Sequence, residues 1–251
     1  MESGMRPNAP CATGTYMISC TQPYVQPRAD KPISKPRPML FFYVASPEVM
    51  KGGVDPEAFD ASRLYRSLDL AKQDGRGQIF VVDARKIPAT LSGDVGGIPK
   101  TAVLNRKPYL RPKEMTAGGG VVTRAGKRKL KVLLIYRKKL WDIPKGRQDK
   151  GESIKECAER EVMEELGIDR VDVHSFLDTT VHGYPEKGRF IVKTTHWYHM
   201  TTPATEFVPQ KAERITRVKW FGLQKAKEVL GHDNLIRLLN RVEHKLLVTH
   251  P

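Results

Sequence analysis

The segment GRQDKGESIKECAEREVMEELGI, from Gly146 to Ile168, decides how this chain is read, because it carries both ends of a helix and a misplaced set of charges. Ser153 with Glu156 three residues on matches a capping box, and Gly167 is the residue type expected just past a helix end, so a helix is expected over 153–166. At about 100° per residue, Cys157, Ala158, Val162 and Leu166 share one side, which should face a sheet. Glu161 and Glu165 fall on that same side, Glu164 sits at its edge, and Met163 points away. Glutamates on a helix ordinarily form a solvated face. Turned toward a core they are costly unless a cation compensates, and like charges at i,i+4 add a few tenths of a kcal/mol of repulsion. Carboxylates from adjacent turns supply the hard oxygen donors that Mg²⁺ or Mn²⁺ prefers, with phosphate oxygens and water completing the shell. Arg160 alone is too little positive charge for the whole cluster.

Working outward, Ala117–Thr123 (AGGGVVT) and Leu130–Tyr136 (LKVLLIY) read as strands on the N-terminal side of this helix. Strands follow it around 171–180, 189–200 and 217–221, with helices around 223–230 and 234–247. Strict βαβ alternation is absent, so the pattern predicts an α+β fold or a mixed-sheet sandwich. Further upstream, MLFFYVA at 39–45 and QIFVV at 78–82 read as strands, and 61–72 as a helix with Leu64, Leu68 and Leu70 on its apolar side. The expected organisation is a tail over 1–38 that is too polar and proline-rich to order itself, a small α/β appendage over 39–92, a linker over 93–114 and the main domain over 115–251.

Formal charge is +15, and between Lys100 and Lys150 there are 16 Lys and Arg residues against 3 acids. Such a field favours an anionic ligand, nucleotide and nucleic acid alike. No apolar run approaches the roughly 20 residues of a membrane span, and no leader-like segment opens the chain. Cys11, Cys20 and Cys157 fit neither a disulfide framework nor a zinc pattern, and the reading is a cytoplasmic protein with free thiols and no membrane partner.

The same segment resembles the Nudix box, G-x5-E-x7-R-E-U-x-E-E-x-G-U with U apolar. Gly146, Glu152, Arg160, Glu161, Val162, Glu164, Glu165, Gly167 and Ile168 fill its nine constrained positions. The resemblance to a Nudix (MutT-like) hydrolase domain extends from about 115 to 247, and it implies an α/β/α sandwich with a mixed sheet that cleaves a phosphoanhydride in a nucleoside diphosphate-linked compound. It further implies that Glu161, Glu164 and Glu165 bind Mg²⁺ or Mn²⁺, that Gly146 offers its carbonyl, and that Arg160, supported by Glu152, orients the cluster. Glu161 and Glu165 are both candidates for the general base. Glu213, ahead of the strand at 217–221, is the candidate for a further metal-binding carboxylate from outside the box.

WDIPKG at 141–146 and KTTHWYH at 193–199 resemble the diadenosine polyphosphate hydrolase group and relatives acting on inositol pyrophosphates. Lys145 and Lys193 are candidates for phosphate contacts, Tyr198 for substrate binding, and Tyr136, Trp141 and Tyr184 for base stacking. The first-choice substrate is a dinucleoside polyphosphate such as diadenosine tetraphosphate. Alternatives are oxidised nucleoside triphosphates, inositol pyrophosphates, RNA 5′ triphosphate ends, and a non-catalytic Nudix scaffold that binds nucleotide or RNA.

Overall fold

The glycine run of AGGGVVT is explained by what lies over it. Strand β4 (Lys113–Arg124) runs under the helix α2 (Ile154–Leu166), and a β-carbon on Gly118 would strike Ala158, while one on Gly120 would strike Val162 and Met200. Two bare backbone positions, Gly118 and Gly120, therefore let helix and strand approach as they do. The computed structural model describes residues 39–45, 60–87, 98–106, 111–126 and 129–248. All of these lie in one unit spanning 36–251. The expected tail over 1–38 lies outside the described residues.

The main sheet has the order β10-β5-β4-β9-β8, with β6 paired to β5 and β7 to β4. Its members are β5 (Lys131–Arg137), β6 (Leu140–Asp142), β7 (Lys145–Arg147), β8 (Asp172–Glu186), β9 (Arg189–Thr201) and β10 (Ile215–Gly222). β4 and β9 pair in parallel and the other pairings are antiparallel, so the sheet is mixed. Val122, Leu133, Ile135 and Met200 pack against Ala158, Val162 and Leu166 of α2. On the opposite face Val132, Leu134 and Trp197 pack against α3 (Leu223–Val229) and α4 (Asp233–Val248). Helices on both faces of a mixed sheet make the expected α+β sandwich. The short strands β6 and β7 were not anticipated, since three residues carry no readable alternation.

The N-terminal region forms a separate three-stranded sheet, β2-β1-β3, from β1 (Leu40–Ala45), β2 (Leu64–Tyr65) and β3 (Gln78–Asp83). The helix expected over 61–72 begins later, as α1 (Leu68–Asp74). Leu64 and Tyr65 are drawn into antiparallel pairing with Tyr43 and Phe42, and Leu70 is left exposed while Leu68 and Ala71 are buried. Strand pairing outweighed the local helical pattern. This sheet shares its core with Phe190 and Val192 of β9, so the two sheets pack directly on each other.

Part of the expected linker also belongs to this sheet. Leu104 N–H donates to the Val81 carbonyl at 2.8 Å, and Val81 N–H donates to Asn105 Oδ1 at 2.9 Å, so 103–105 completes the free edge of β3. Ile98 and Ala102 are fully buried. A proline- and glycine-rich composition read as a connector because side-chain caps and single bridges have no periodicity.

Candidate active site

Helix α2 starts and stops where its sequence predicts. Ser153 Oγ accepts from Glu156 N–H at 3.2 Å, Glu156 Oε2 accepts from Ser153 N–H at 2.7 Å, and Gly167 closes the helix at φ +63°. The phase holds as well: Cys157, Ala158, Val162 and Leu166 are buried, Glu165 is 1% exposed, and the Glu161 side chain is 15% exposed. Met163 is not turned fully to water, but packs on the apolar cluster beneath the helix.

Arg160 gathers Glu152 from ahead of the helix and Glu161 and Glu164 from its second half. Its Nε and Nη2 hold Glu152 at 3.1 and 2.7 Å, and its Nη1 stands 3.0 Å from Glu161 and 3.3 Å from Glu164. This bidentate grip on Glu152 lowers that carboxyl to about 2. Burial pushes the Glu161 carboxyl upward against the opposing pull of Arg160. A β-carbon at Gly146 would collide with the Glu161 carboxylate, so the glycine of the box is the space in which that carboxylate sits.

Glu165 occupies a second, deeper group of charges. One oxygen accepts from the Lys145 backbone N–H at 2.8 Å and the other from Arg137 Nη1 at 2.9 Å. Burial raises its carboxyl to about 7 even so. Behind it lies Asp142, 3% exposed, whose Oδ2 takes Lys145 Nζ at 2.6 Å and Arg137 Nε at 3.1 Å. Burial opposes charge on Asp142, but the two cations together hold it below the usual carboxylate range. Arg137 also reaches toward Glu213 at 3.9 Å. Sequence reasoning missed Arg137 and Asp142 as site residues; Asp142 stood inside the quoted WDIPKG, but nothing local paired it with the end of β5.

Lys193 lies on β9 in register with Met115, and among the described residues no carboxylate stands within 4 Å of its ammonium. Burial, with Lys145 and Arg137 nearby, lowers it to about 8. Lys145 is buried, and burial pulls it down despite Asp142. Lys193 thus lies within electrostatic reach of Lys145, Glu165 and Glu161, and the Lys145 backbone N–H bonds Glu165.

Tyr198 is not brought there. It pairs with Gly120, whose face meets Val162 and Met200, whereas Lys145 and Trp197 meet the Gly119 face. Alternation along β9 sends Tyr198 to the α2 side, edge-on to Phe176 at 5.7 Å. Tyr184 stacks on His182 at 5.7 Å, and its hydroxyl contacts Met115 Sδ. Glu213, with a side chain 57% exposed, reaches the cluster only through Arg137.

Among the described residues no three His, Cys, Asp or Glu side chains are gathered closely enough to share a metal ion. Glu161 and Glu164 share the Arg160 guanidinium, and Glu165 is held by Arg137 and the Lys145 amide. The donor set nevertheless fits a hard divalent cation, because Glu161, Glu164 and the Gly146 carbonyl offer only oxygen and Glu161 lies tightly against Gly146. No described helix is long and apolar enough to cross a membrane.

The NUDIX domain model matches residues 114–239, half of the chain, and the protein belongs to that family. It is 30% identical over 162 residues to the putative mutator protein MutT4 of Mycobacterium tuberculosis, covering 59% of this chain and 64% of that protein. It is 31% identical over 101 residues to the RNA pyrophosphohydrolase of Shewanella frigidimarina, covering 39% and 47%. It is 33% identical over 86 residues to the mRNA decapping complex subunit 2 of Schizosaccharomyces pombe, covering 33% of this chain and 11% of that one. The chain therefore spans less than two thirds of each of these relatives. Among solved structures it resembles a Caenorhabditis elegans Ap4A hydrolase binary complex at 24% identity and a TM-score of 0.45, covering 53% of this chain and 98% of that one.

Proposed function

We propose that this protein is a Mg²⁺- or Mn²⁺-dependent pyrophosphohydrolase that cleaves a phosphoanhydride bond in a nucleoside diphosphate-linked substrate. The observation that carries this reading is the inward placement of Glu161 and Glu165 beside the buried Lys145 and the half-buried Lys193, the second of which has no carboxylate partner among the described residues. Buried ammonium groups without counter-ions are stabilised when an anion arrives. Glu161, Glu164 and the Gly146 carbonyl would hold the divalent cation, which would supply neutralisation of phosphate charge and a more acidic water.

Lys145 and Lys193 receive phosphate oxygens as point charges. Arg160 holds Glu152, Glu161 and Glu164 in mutual register, so their geometry is set before substrate binds. Glu165, whose proton affinity burial raises to about 7, is suited to accept a proton from the attacking water near neutral pH. Glu161, raised in the same direction, is the alternative base.

For the substrate, the WxxPKG entry favours a dinucleoside polyphosphate such as diadenosine tetraphosphate. A second reading, hydrolysis at RNA 5′ phosphate ends, is supported by the likeness to an RNA pyrophosphohydrolase. A panel of diadenosine polyphosphates, nucleoside triphosphates, inositol pyrophosphates and triphosphorylated RNA, each with Mg²⁺, tests both. The Glu165→Gln variant should stay folded and lose about 100-fold in turnover on the preferred substrate. Near-normal turnover would remove Glu165 from the mechanism.

A further inference from the structure

The edge of the main sheet formed by β10 and the β5–β6 hairpin carries cations that the catalytic centre does not use. Segments 136–142 and 213–221 contain six Lys and Arg residues and two acids. Both acids, Asp142 and Glu213, face Arg137. Lys138, Lys139, Arg214, Arg217 and Lys219 are exposed, and among the described residues none has a carboxylate within 4 Å.

Two of these lysines occupy backbone positions that disfavour them. Arg137 pairs with Leu140, so Lys138 and Lys139 form a two-residue hairpin loop with φ of +49° and +66°. Such loops favour Asn-Gly, and non-glycine residues with positive φ carry a cost that persists where a side chain is needed. A hairpin tip of two lysines in that conformation points to an anionic ligand. Arg214, at φ +58°, repeats the pattern at the start of β10.

Aromatic rings alternate with the cations along the same face. Arg217 lies 4.0 Å over the Tyr136 ring, Tyr136 and Trp141 are 5.1 Å apart, Trp141 and Phe221 are 4.8 Å apart, and Lys219 lies 5.4 Å from the Phe221 ring. All three rings are only partly buried. Cations space out along a phosphodiester backbone, and aromatic faces accept bases of any sequence, so this combination suits a single-stranded polynucleotide better than an inorganic anion. Arg137, which holds Glu165, follows Tyr136 in β5 and so projects to the opposite face of the sheet, which puts the stripe across β5 from the catalytic glutamates.

We infer that this edge binds a single-stranded polynucleotide, and that surface does not rest on the catalytic reading above.

The test uses the full chain and labelled 12-nucleotide single strands of RNA and of DNA. In the Arg217→Gln, Lys219→Gln double variant, affinity should fall about 10-fold, and the slope of log affinity against log salt should shrink by about 0.7 per cation removed. Inorganic polyphosphate of equal charge should compete weakly, because it offers no bases to stack. Tighter binding of one oligonucleotide names RNA or DNA as the natural source. Mg²⁺-dependent hydrolysis of a small nucleotide substrate should be unchanged in the double variant.

Unaltered oligonucleotide affinity in that variant, or equal competition by polyphosphate or duplex, overturns the inference. If the parent chain hydrolyses small substrates yet fails to bind the oligonucleotides, the surface alone is lost. If it binds them through Arg217 and Lys219 yet hydrolyses none of the phosphoanhydride panel, the surface stands and the catalytic reading falls.

Discussion

Two charged regions meet at Arg137 and obey opposite rules. Around α2 five acids are each tied to a basic residue, and all but the exposed Glu164 are largely enclosed: Glu152, Glu161 and Glu164 on Arg160, Glu165 and Asp142 on Arg137 and Lys145. Along β10 and the tip of the β5–β6 hairpin, beyond Arg137, the cations stand in solvent, with aromatic faces beside Arg217 and Lys219 and, among the described residues, no carboxylates within ion-pair distance. In the first region burial makes every unpaired charge expensive, so position is dictated by folding. In the second, water already solvates the charges, so they add little to stability and remain available to a ligand.

The comparison is broken most severely at Asp142. Asp142→Asn leaves Lys145 and Arg137 without their shared counter-ion and should destabilise the fold by roughly 3–5 kcal/mol, read as a shift in denaturant midpoint. Because the folded carboxyl lies below its ordinary 3.8, the parent keeps this contribution above about pH 4 and loses it as pH falls further. The variant should lack that acid limb, and an unchanged limb would show that Asp142 is not the hub of the buried cluster.

Gly146→Ala comes next. Its new β-carbon competes with the Glu161 carboxylate for one space, so turnover should drop at least about 10-fold while the substrate dissociation constant changes less. Equal loss in both would point to general disruption.

Lys193→Met should pull stability and function apart. Burial lowers the Lys193 ammonium from 10.5 to about 8, so its charge costs stability below pH 8, and the cost is relieved as pH rises from 8 to 10.5. The variant should be more stable than the parent by roughly 1–3 kcal/mol at pH 7, with the difference vanishing near pH 10.5. Its KM should rise about 10-fold at pH 7, and the parent's own KM should climb above pH 8 whereas the variant's stays flat. A variant less stable than the parent at pH 7 would mean that the ammonium has a partner in solution.

The smallest effect belongs to the exposed edge. Removing charge at Arg217 and Lys219 should change unfolding free energy by less than about 0.5 kcal/mol per site. A larger loss would make the cation and ring contacts part of the fold's support and narrow the contrast between the two regions.

Much of α2 was written in one stretch of chain. Its cap, its C-terminal glycine and the inward phase of Glu161 and Glu165 follow from residues at most 14 positions apart, from Ser153 to Gly167, because helix geometry converts short spacing directly into direction. The strands around it were legible by the same logic, since alternation and apolar runs are local. Where a segment's fate depended on a distant partner, local pattern misled. Leu64 and Tyr65 became an edge strand because β1 was there to pair with, and 103–105 became the rim of β3 through one asparagine side chain.

By itself the sequence determined a helix of inward glutamates, the strands on either side of it, and an excess of positive charge between 100 and 150. Only the tertiary structure decided that Arg137 and Asp142 lock Glu165, that Tyr198 faces away from Lys193, and that Arg217 and Lys219 line up with Tyr136, Trp141 and Phe221. The reason is physical: helical direction is set by backbone geometry within a few residues, whereas strand register brings together side chains from remote parts of the chain, and charge chemistry depends on which of them meet.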